Sequence, residues 1–192
     1  RAELSLRNTL EEFCRQGWPD ARLCHEMVMG EGRVRADLVA IGTDHIAAFE
    51  IKGEYDDTTR LLHQVGMYQL CVPEVWMVVP VGRHAEDARI LRHLLPSLGL
   101  LVGAGQSQQN YYEFDGKDFS LTVEAEPSGF TPLPAMALQM LWRDELIAVC
   151  DRTRTPRGST RAKMIAKLID LPFGLLQHEI CAELRARNAL WR

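Results

Sequence analysis

Apolar residues recur at helical spacing from the start of the chain. Leu6, Leu10, Phe13 and Cys14 share one face and Gly17-Trp18-Pro19 ends the pattern, so an amphipathic helix is predicted over 3–16. The period then becomes strand-like. Residues 22–29, 33–41 and 45–52 are short, β-branched or apolar runs, separated by Gly30-Glu31-Gly32 and Gly42-Thr43-Asp44, which predicts an antiparallel meander. From Thr58 to Val72 a helical face returns through Leu61, Val65, Tyr68 and Val72, and Pro73 closes it. Residues 74–80 (EVWMVVP) are nearly all apolar, as in a strand covered on both faces. Their place after a helix makes them parallel to the strand ending at Lys52. A helix at 84–95 and a strand at 99–103 complete an α/β layer.

Beyond Gly103 the texture turns polar, and strand-like residues 111–114 and 119–124 around Asp115-Gly116 predict a hairpin. Pro127 to Pro134 reads as a linker, followed by helical periodicity at 135–150, 159–170 and 175–188. The expected organisation is a core over 1–103, a connector over 104–134 and a helical subdomain over 135–192. The last two helices of that subdomain have a helix–turn–helix rhythm.

Composition narrows the class. A chain of 192 residues, 46% hydrophobic and 25% charged, is long enough for a stable core and has no apolar run of membrane-spanning length. The first residues carry no apolar signal segment, so no export is expected. Cys14, Cys24, Cys71, Cys150 and Cys181 are scattered in apolar stretches without CxxC spacing, which points to reduced core thiols, a cytoplasmic location and no zinc site. The formal charge of −4 is unevenly distributed: between Asp151 and Lys167, Arg152, Arg154, Arg157, Arg161, Lys163 and Lys167 oppose Asp151 alone, a net +5. Such a segment is either a solvated face or a grip on phosphate backbone. The six histidines lack metal-ligand spacing, and Trp76, Trp142 and Trp191 are expected to anchor cores.

The chemistry lies in 26–68. Asp37 interrupts the apolar strand VRADLVAI, Glu50 and Lys52 end the strand AAFEIK, and Arg60, Gln64 and Tyr68 lie on the following helix. Buried charge is tolerated only when paired or metal-bound. Glu50 and Lys52, two residues apart on a strand, share a face, and a hairpin partner can set Asp37 beside them. Two carboxylates and an ammonium then converge. Their hard oxygens suit Mg²⁺, with Mn²⁺ as a substitute, and such a site suits hydrolysis of a phosphodiester. Gln64 and Tyr68, one turn apart, can aim an amide and a phenol at the same spot.

Asp37, a gap of twelve residues and Glu50-Ile51-Lys52, in an α-β-β-β-α-β order, resemble the PD-(D/E)XK nuclease superfamily, in particular its Holliday-junction-resolvase-like and RecB-like branches. Gln64-Val65-Gly66-Met67-Tyr68 is similar to the QxxxY motif of the RecB-like branch. RADL (35–38), EIK (50–52), RLLHQ (60–64) and LWRDEL (141–146) also resemble an uncharacterised bacterial and prophage family within that superfamily. The resemblance implies a restriction-endonuclease-like core, a mixed sheet flanked by helices, carrying a small helical subdomain. It implies a Mg²⁺-dependent deoxyribonuclease with roles in DNA repair, recombination, prophage biology or defence, DNA as partner and no organic cofactor. Likeness to junction resolvases raises a homodimer. Asp37, Glu50 and the Ile51 carbonyl would be metal ligands, Lys52 the catalytic lysine, and Gln64 and Tyr68 would orient it or touch substrate backbone. A further acid would come from Glu12, with Glu11 next, or from Glu26. Arg60, Arg154, Arg157, Arg161 and Lys163 would bind substrate. Ala36 stands where the motif has proline. The rival readings are a non-catalytic nucleic-acid-binding accessory and a structural or regulatory component with a protein partner.

Overall fold

In the computed structural model of the protein, residues 2–53, 56–57, 59–105 and 119–188 are described. The first helix, α1 (Ala2–Gly17), lays Leu6, Leu10 and Cys14 on a sheet, where Phe49, Ile51, Trp76 and Leu101 receive them. Each of those three α1 residues is at most 1% exposed, as spacing of one turn per contact requires. The strands are β1 (Arg22–Met29), β2 (Val34–Ile41), β3 (Ile46–Ile51), β4 (Glu74–Pro80), β5 (Gly99–Gly105) and β6 (Phe119–Ala125). They form one six-stranded mixed sheet in sequential order. The meander β1-β2-β3 is antiparallel, β3-β4 and β4-β5 are parallel, and β5-β6 is antiparallel. The two crossovers run through α2 (Leu61–Cys71) and α3 (Arg83–Leu94), on the face opposite α1. The protein is therefore mixed α/β, a six-stranded sheet flanked by helices.

Two elements differ from the pattern reading. β6 pairs with β5, through Leu101↔Val123 and Gly103↔Leu121, so it extends the sheet; the expected hairpin partner at 111–114 lies outside the described residues. The helix expected at 135–150 is two helices, α4 (Pro134–Leu138) and α5 (Arg143–Arg152). Trp142 is extended between them, and its N–H donates to the Glu145 carboxylate at 2.6 Å, so the break is an N-cap held by a side chain three residues on.

The last helices, α6 (Arg161–Leu168) and α7 (Phe173–Ala186), together with α4 and α5, share a continuous apolar cluster with α2 and the sheet. Leu141, Leu146, Met164, Leu176 and Ile180 lie in the same cluster as Ile46, Val65 and Val75. Polar contacts add to this docking, with Arg22 donating to the Arg185 carbonyl at 2.8 Å and the Phe130 N–H to the Pro73 carbonyl at 3.0 Å. Trp76 is buried as expected, whereas Trp142 is 44% exposed and Trp191 lies outside the described residues. All five cysteines are free and buried. No described helix is long and apolar enough to cross a membrane.

Candidate active site

The sheet changes phase at one place. On β2, Val34 and Ala36 face α2 before Asp37, but Val39 and Ile41 do so after it; on β1, Cys24 and then Met27 and Met29 show the same inversion about Glu26. Strict alternation would forbid this. The slip is absorbed by Glu26, which takes the left-handed φ of 54°, and Glu26 and Asp37 are the one step missing from the β1–β2 register.

The next consequence is a split between β2 and β3. Their pairing ends at Leu38↔Phe49, and Glu50 and Ile51 pair only with β4. Into the gap the Asp37 side chain takes the place of a ladder acceptor: the Ile51 N–H donates to Asp37 Oδ2 at 2.7 Å. Asp37 is thus fixed against the strand that carries Glu50. On that strand Glu50 is 2% exposed and Lys52 9%, and the Lys52 N–H continues the bonding to β4 through the Val78 carbonyl at 2.9 Å.

Side chains close the arrangement. Lys52 Nζ donates to Glu50 Oε1 at 2.8 Å and to Gln64 Oε1 at 3.1 Å. One turn along α2, the Tyr68 hydroxyl donates to Glu50 Oε2 at 2.6 Å, with the Arg35 carbonyl 2.8 Å away as a second acceptor. Gln64 therefore orients the lysine and Tyr68 orients the glutamate. From α1, Arg7 reaches the Asp37 carbonyl at 3.3 Å, Asp37 Oδ1 at 3.8 Å and Glu26 at 3.5 Å. Asp37, Glu50, Lys52 and Gln64 line a cavity of about 430 Å³ whose lining also includes Glu26, Arg35, Arg60 and His63.

Electrostatics follow from the crowding of acids. Burial, and then the negative charge of Glu50, push the Asp37 carboxyl up to about 7, against the lowering effects of the Ile51 N–H and Arg7. Burial and Glu50 also raise the Tyr68 phenol, which keeps it a donor. Asp37 and Glu50 thus line one open cavity, near enough for the charge of one to raise the carboxyl of the other.

The predicted residues separate into two groups. Asp37, Glu50, Ile51, Lys52, Gln64, Arg60 and Glu26 all line the cavity. Glu12 does not: it is held by Gln16 at 2.9 Å and is 59% exposed, while Glu11 pairs with Arg15 at 2.6 Å and with His25 at 3.2 Å. The residue that α1 contributes is Arg7, beside the apolar stripe rather than on its acidic side. Tyr68 is fully buried, so it holds Glu50 and cannot touch a substrate backbone. Among the basic residues of the tail, Arg157 is bound to Asp151 at 2.7 Å and Arg161 to the Leu141 carbonyl at 2.7 Å. Arg154 and Lys163 are exposed, and none of these four lines the carboxylate cavity.

Oxygen donors of the kind a hard divalent ion takes are present, namely Asp37 and Glu50, with the Ile51 carbonyl next in the chain. Among the described residues no group of three or more His, Cys, Asp or Glu side chains forms a ligand cluster, so water or substrate oxygens would complete the shell. The donor chemistry and the raised Asp37 carboxyl fit such an ion.

The family model for Bacteriophage P4 protein cII matches residues 1–113. That stretch contains every residue of the carboxylate cavity. No curated protein and no solved structure matches the chain.

Proposed function

The chain belongs to the Bacteriophage P4 protein cII family, and from the chemistry of its cavity we propose that it is a metal-dependent deoxyribonuclease with a restriction-endonuclease-like core. One observation carries the reading: where β2 and β3 part, Asp37 and Glu50 meet, with Lys52 held between Glu50 and Gln64. A structural ion pair needs no such split in a sheet, whereas a reaction centre needs an opening there. A phage protein is a fitting host for an enzyme acting on DNA.

Asp37, Glu50 and the Ile51 carbonyl would hold Mg²⁺ or Mn²⁺, which when bound supplies charge to a phosphate oxygen and acidifies a water. The chain's own groups do the rest. Lys52, held by two acceptors, would present its remaining donor to the phosphate or to the attacking water. Gln64 restricts the lysine's rotamers. Tyr68 holds Glu50 through its Oε2. Arg60 offers a cation to the flanking phosphate at the rim. Glu26, fixed by Arg35 at 2.7 Å, is the third acid of the cavity wall.

The test is cleavage of linear, nicked, branched and single-stranded DNA with Mg²⁺, Mn²⁺ or EDTA, beside Lys52→Ala and Asp37→Asn proteins. Metal-dependent cutting lost in both variants is the expected result. Equal cutting by wild type and Lys52→Ala overturns the proposal; binding without cutting by any of them favours a non-catalytic accessory.

A further inference from the structure

A second opening, of about 510 Å³, also borders the β1–β2 hairpin. The hairpin is shared: Glu26, Arg33 and Arg35 line the carboxylate cavity, and Val28, Met29 and Glu31 line this one. Its far wall is the junction of α4, α5 and α6, with Trp142, Arg143 and Arg161. Three features there are unusual for a packing seam.

First, Trp142 is 44% exposed although it sits in a concave site, where an indole would ordinarily be covered. Second, the indole is preset. Arg187 lies over one ring face with its Cζ 4.2 Å from the centroid, and is itself gripped by Glu145 at 2.6 Å and by the Met140 carbonyl at 2.9 Å. A rigid aromatic backed by a buried cation and presenting area to solvent is a stacking platform. Third, the lining charge is cationic. Arg143, 3.9 Å from the exposed Asp144, and Arg161, one nitrogen of which donates to the Gln139 and Leu141 carbonyls, line the opening with Trp142, while Glu31 on the hairpin is turned to Arg33 at 3.5 Å and Glu145 is engaged by Arg187.

An aromatic face between arginines recognises an unstacked base with its phosphates. The volume falls within the range of small-ligand sites and admits a nucleotide. Duplex DNA keeps its bases stacked and cannot offer a face to such a ring. The two openings also adjoin, because Glu26 of one cavity and Val28 of the other are two residues apart on β1.

We infer that the Trp142–Arg143–Arg161 pocket is a binding site for a single-stranded nucleotide unit, the base stacking on Trp142 and the phosphates meeting the two arginines. For its place on a substrate strand the inference rests on the nuclease reading, and it narrows that reading to DNA with a single-stranded segment beside the reacting phosphate.

The experiment uses the full chain in EDTA, so that no cleavage intervenes, with a fluorescein-labelled twelve-nucleotide oligothymidine followed by anisotropy. Base stacking contributes about 1–3 kcal/mol per base, so Trp142→Ala should weaken binding by roughly five- to a hundredfold, and Trp142→Phe by much less. Arg143→Glu, a change at an exposed position, should also weaken it and steepen no salt dependence. Unlabelled oligothymidine should quench tryptophan emission in the wild type and lose most of that quenching in Trp142→Phe. A duplex of equal length should compete poorly. Equal affinity of wild type, Trp142→Ala and Arg143→Glu, equal competition by duplex, or no binding by the wild type overturns the inference. Failure of the nuclease reading shows elsewhere, as cleavage that survives Lys52→Ala.

Discussion

Replacing Asp37 by Asn isolates what the carboxylate site does to the fold. In the folded chain the Asp37 carboxyl titrates near 7, against an ordinary value of 3.8, with burial the larger cause and Glu50 the second. The native state therefore holds a proton that the unfolded chain has released, and stability falls as pH rises from about 4 to about 7, then levels. A rise of roughly three pH units corresponds to about 4 kcal/mol, an upper bound because the cavity is open to water on one side. Asn keeps an oxygen for the Ile51 N–H and carries no charge. At pH 8 the Asp37→Asn protein should thus be the more stable, by up to about 4 kcal/mol. At about 2–4 °C per kcal/mol for a chain of this size, that is roughly 8–16 °C in Tm at the full value. At pH 4 the two proteins should melt together. The assay is thermal unfolding by circular dichroism at pH 4, 6 and 8 in EDTA, where titrations not coupled to Asp37 cancel in the difference. Adding Mg²⁺ at ten times its dissociation constant should then return about 1.4 kcal/mol to the wild type and nothing to the variant. A variant no more stable than wild type at pH 8, or a gap that does not close on acidification, refutes the reasoning.

Three further outcomes follow from particular contacts. Tyr68→Phe strips Glu50 Oε2 of its 2.6 Å donor inside the protein, which should lower the urea midpoint by about 1–3 kcal/mol equivalent; an unchanged midpoint contradicts the assigned bond. Glu12→Gln should leave metal-dependent cleavage unaltered, whereas Glu26→Gln should lower it by about tenfold or more, and the reverse ranking would return the third acid to α1. Gly99→Ala builds a Cβ 2.4 Å from Trp76 Cε3, so overpacking should cost about 1–3 kcal/mol, read as a Tm several degrees lower, while an unshifted Tm would mean that the indole moves freely.

Where the fold was readable, one period governed a whole element. β4 and the helical stripes of α1 and α2 are uninterrupted patterns, and their bounds fall within a few residues of the expectation. What the pattern did not show was set by partners outside it. β6 pairs with β5 across more than a dozen residues, a pairing that local turn chemistry does not report. The α4–α5 break has no glycine or proline to mark it, since Glu145 caps from inside the second helix. The acids of the site were legible for the opposite reason: Asp37 and Glu50 violate a pattern that otherwise demands apolar residues. Arg7 violates nothing. It is one polar residue beside a helix stripe, and only the split of β2 from β3 gives it Asp37 to hold.

In the tail the fold offsets part of the linear charge. A window with a net +5 reads as a phosphate footprint, but the fold supplies acids from elsewhere: Arg152 meets Glu179 and Glu183, each at 2.6 Å, and Arg157 meets Asp151 within the window. Arg161 turns to the carbonyls at the end of α4, at 3.0 Å from Gln139 and 2.7 Å from Leu141. What reaches a ligand is set by these pairings. Arg33, Arg35 and Arg60 line the carboxylate cavity, and Arg143 and Arg161 line the opening beside Trp142, so both openings that border the β1–β2 hairpin carry cations. On the proposed nuclease reading a strand guided by them would cross the hairpin between the two openings. With a −4 total giving little long-range attraction to DNA in bulk, its affinity would then depend on the base stacked on Trp142 and the phosphate met by Lys52.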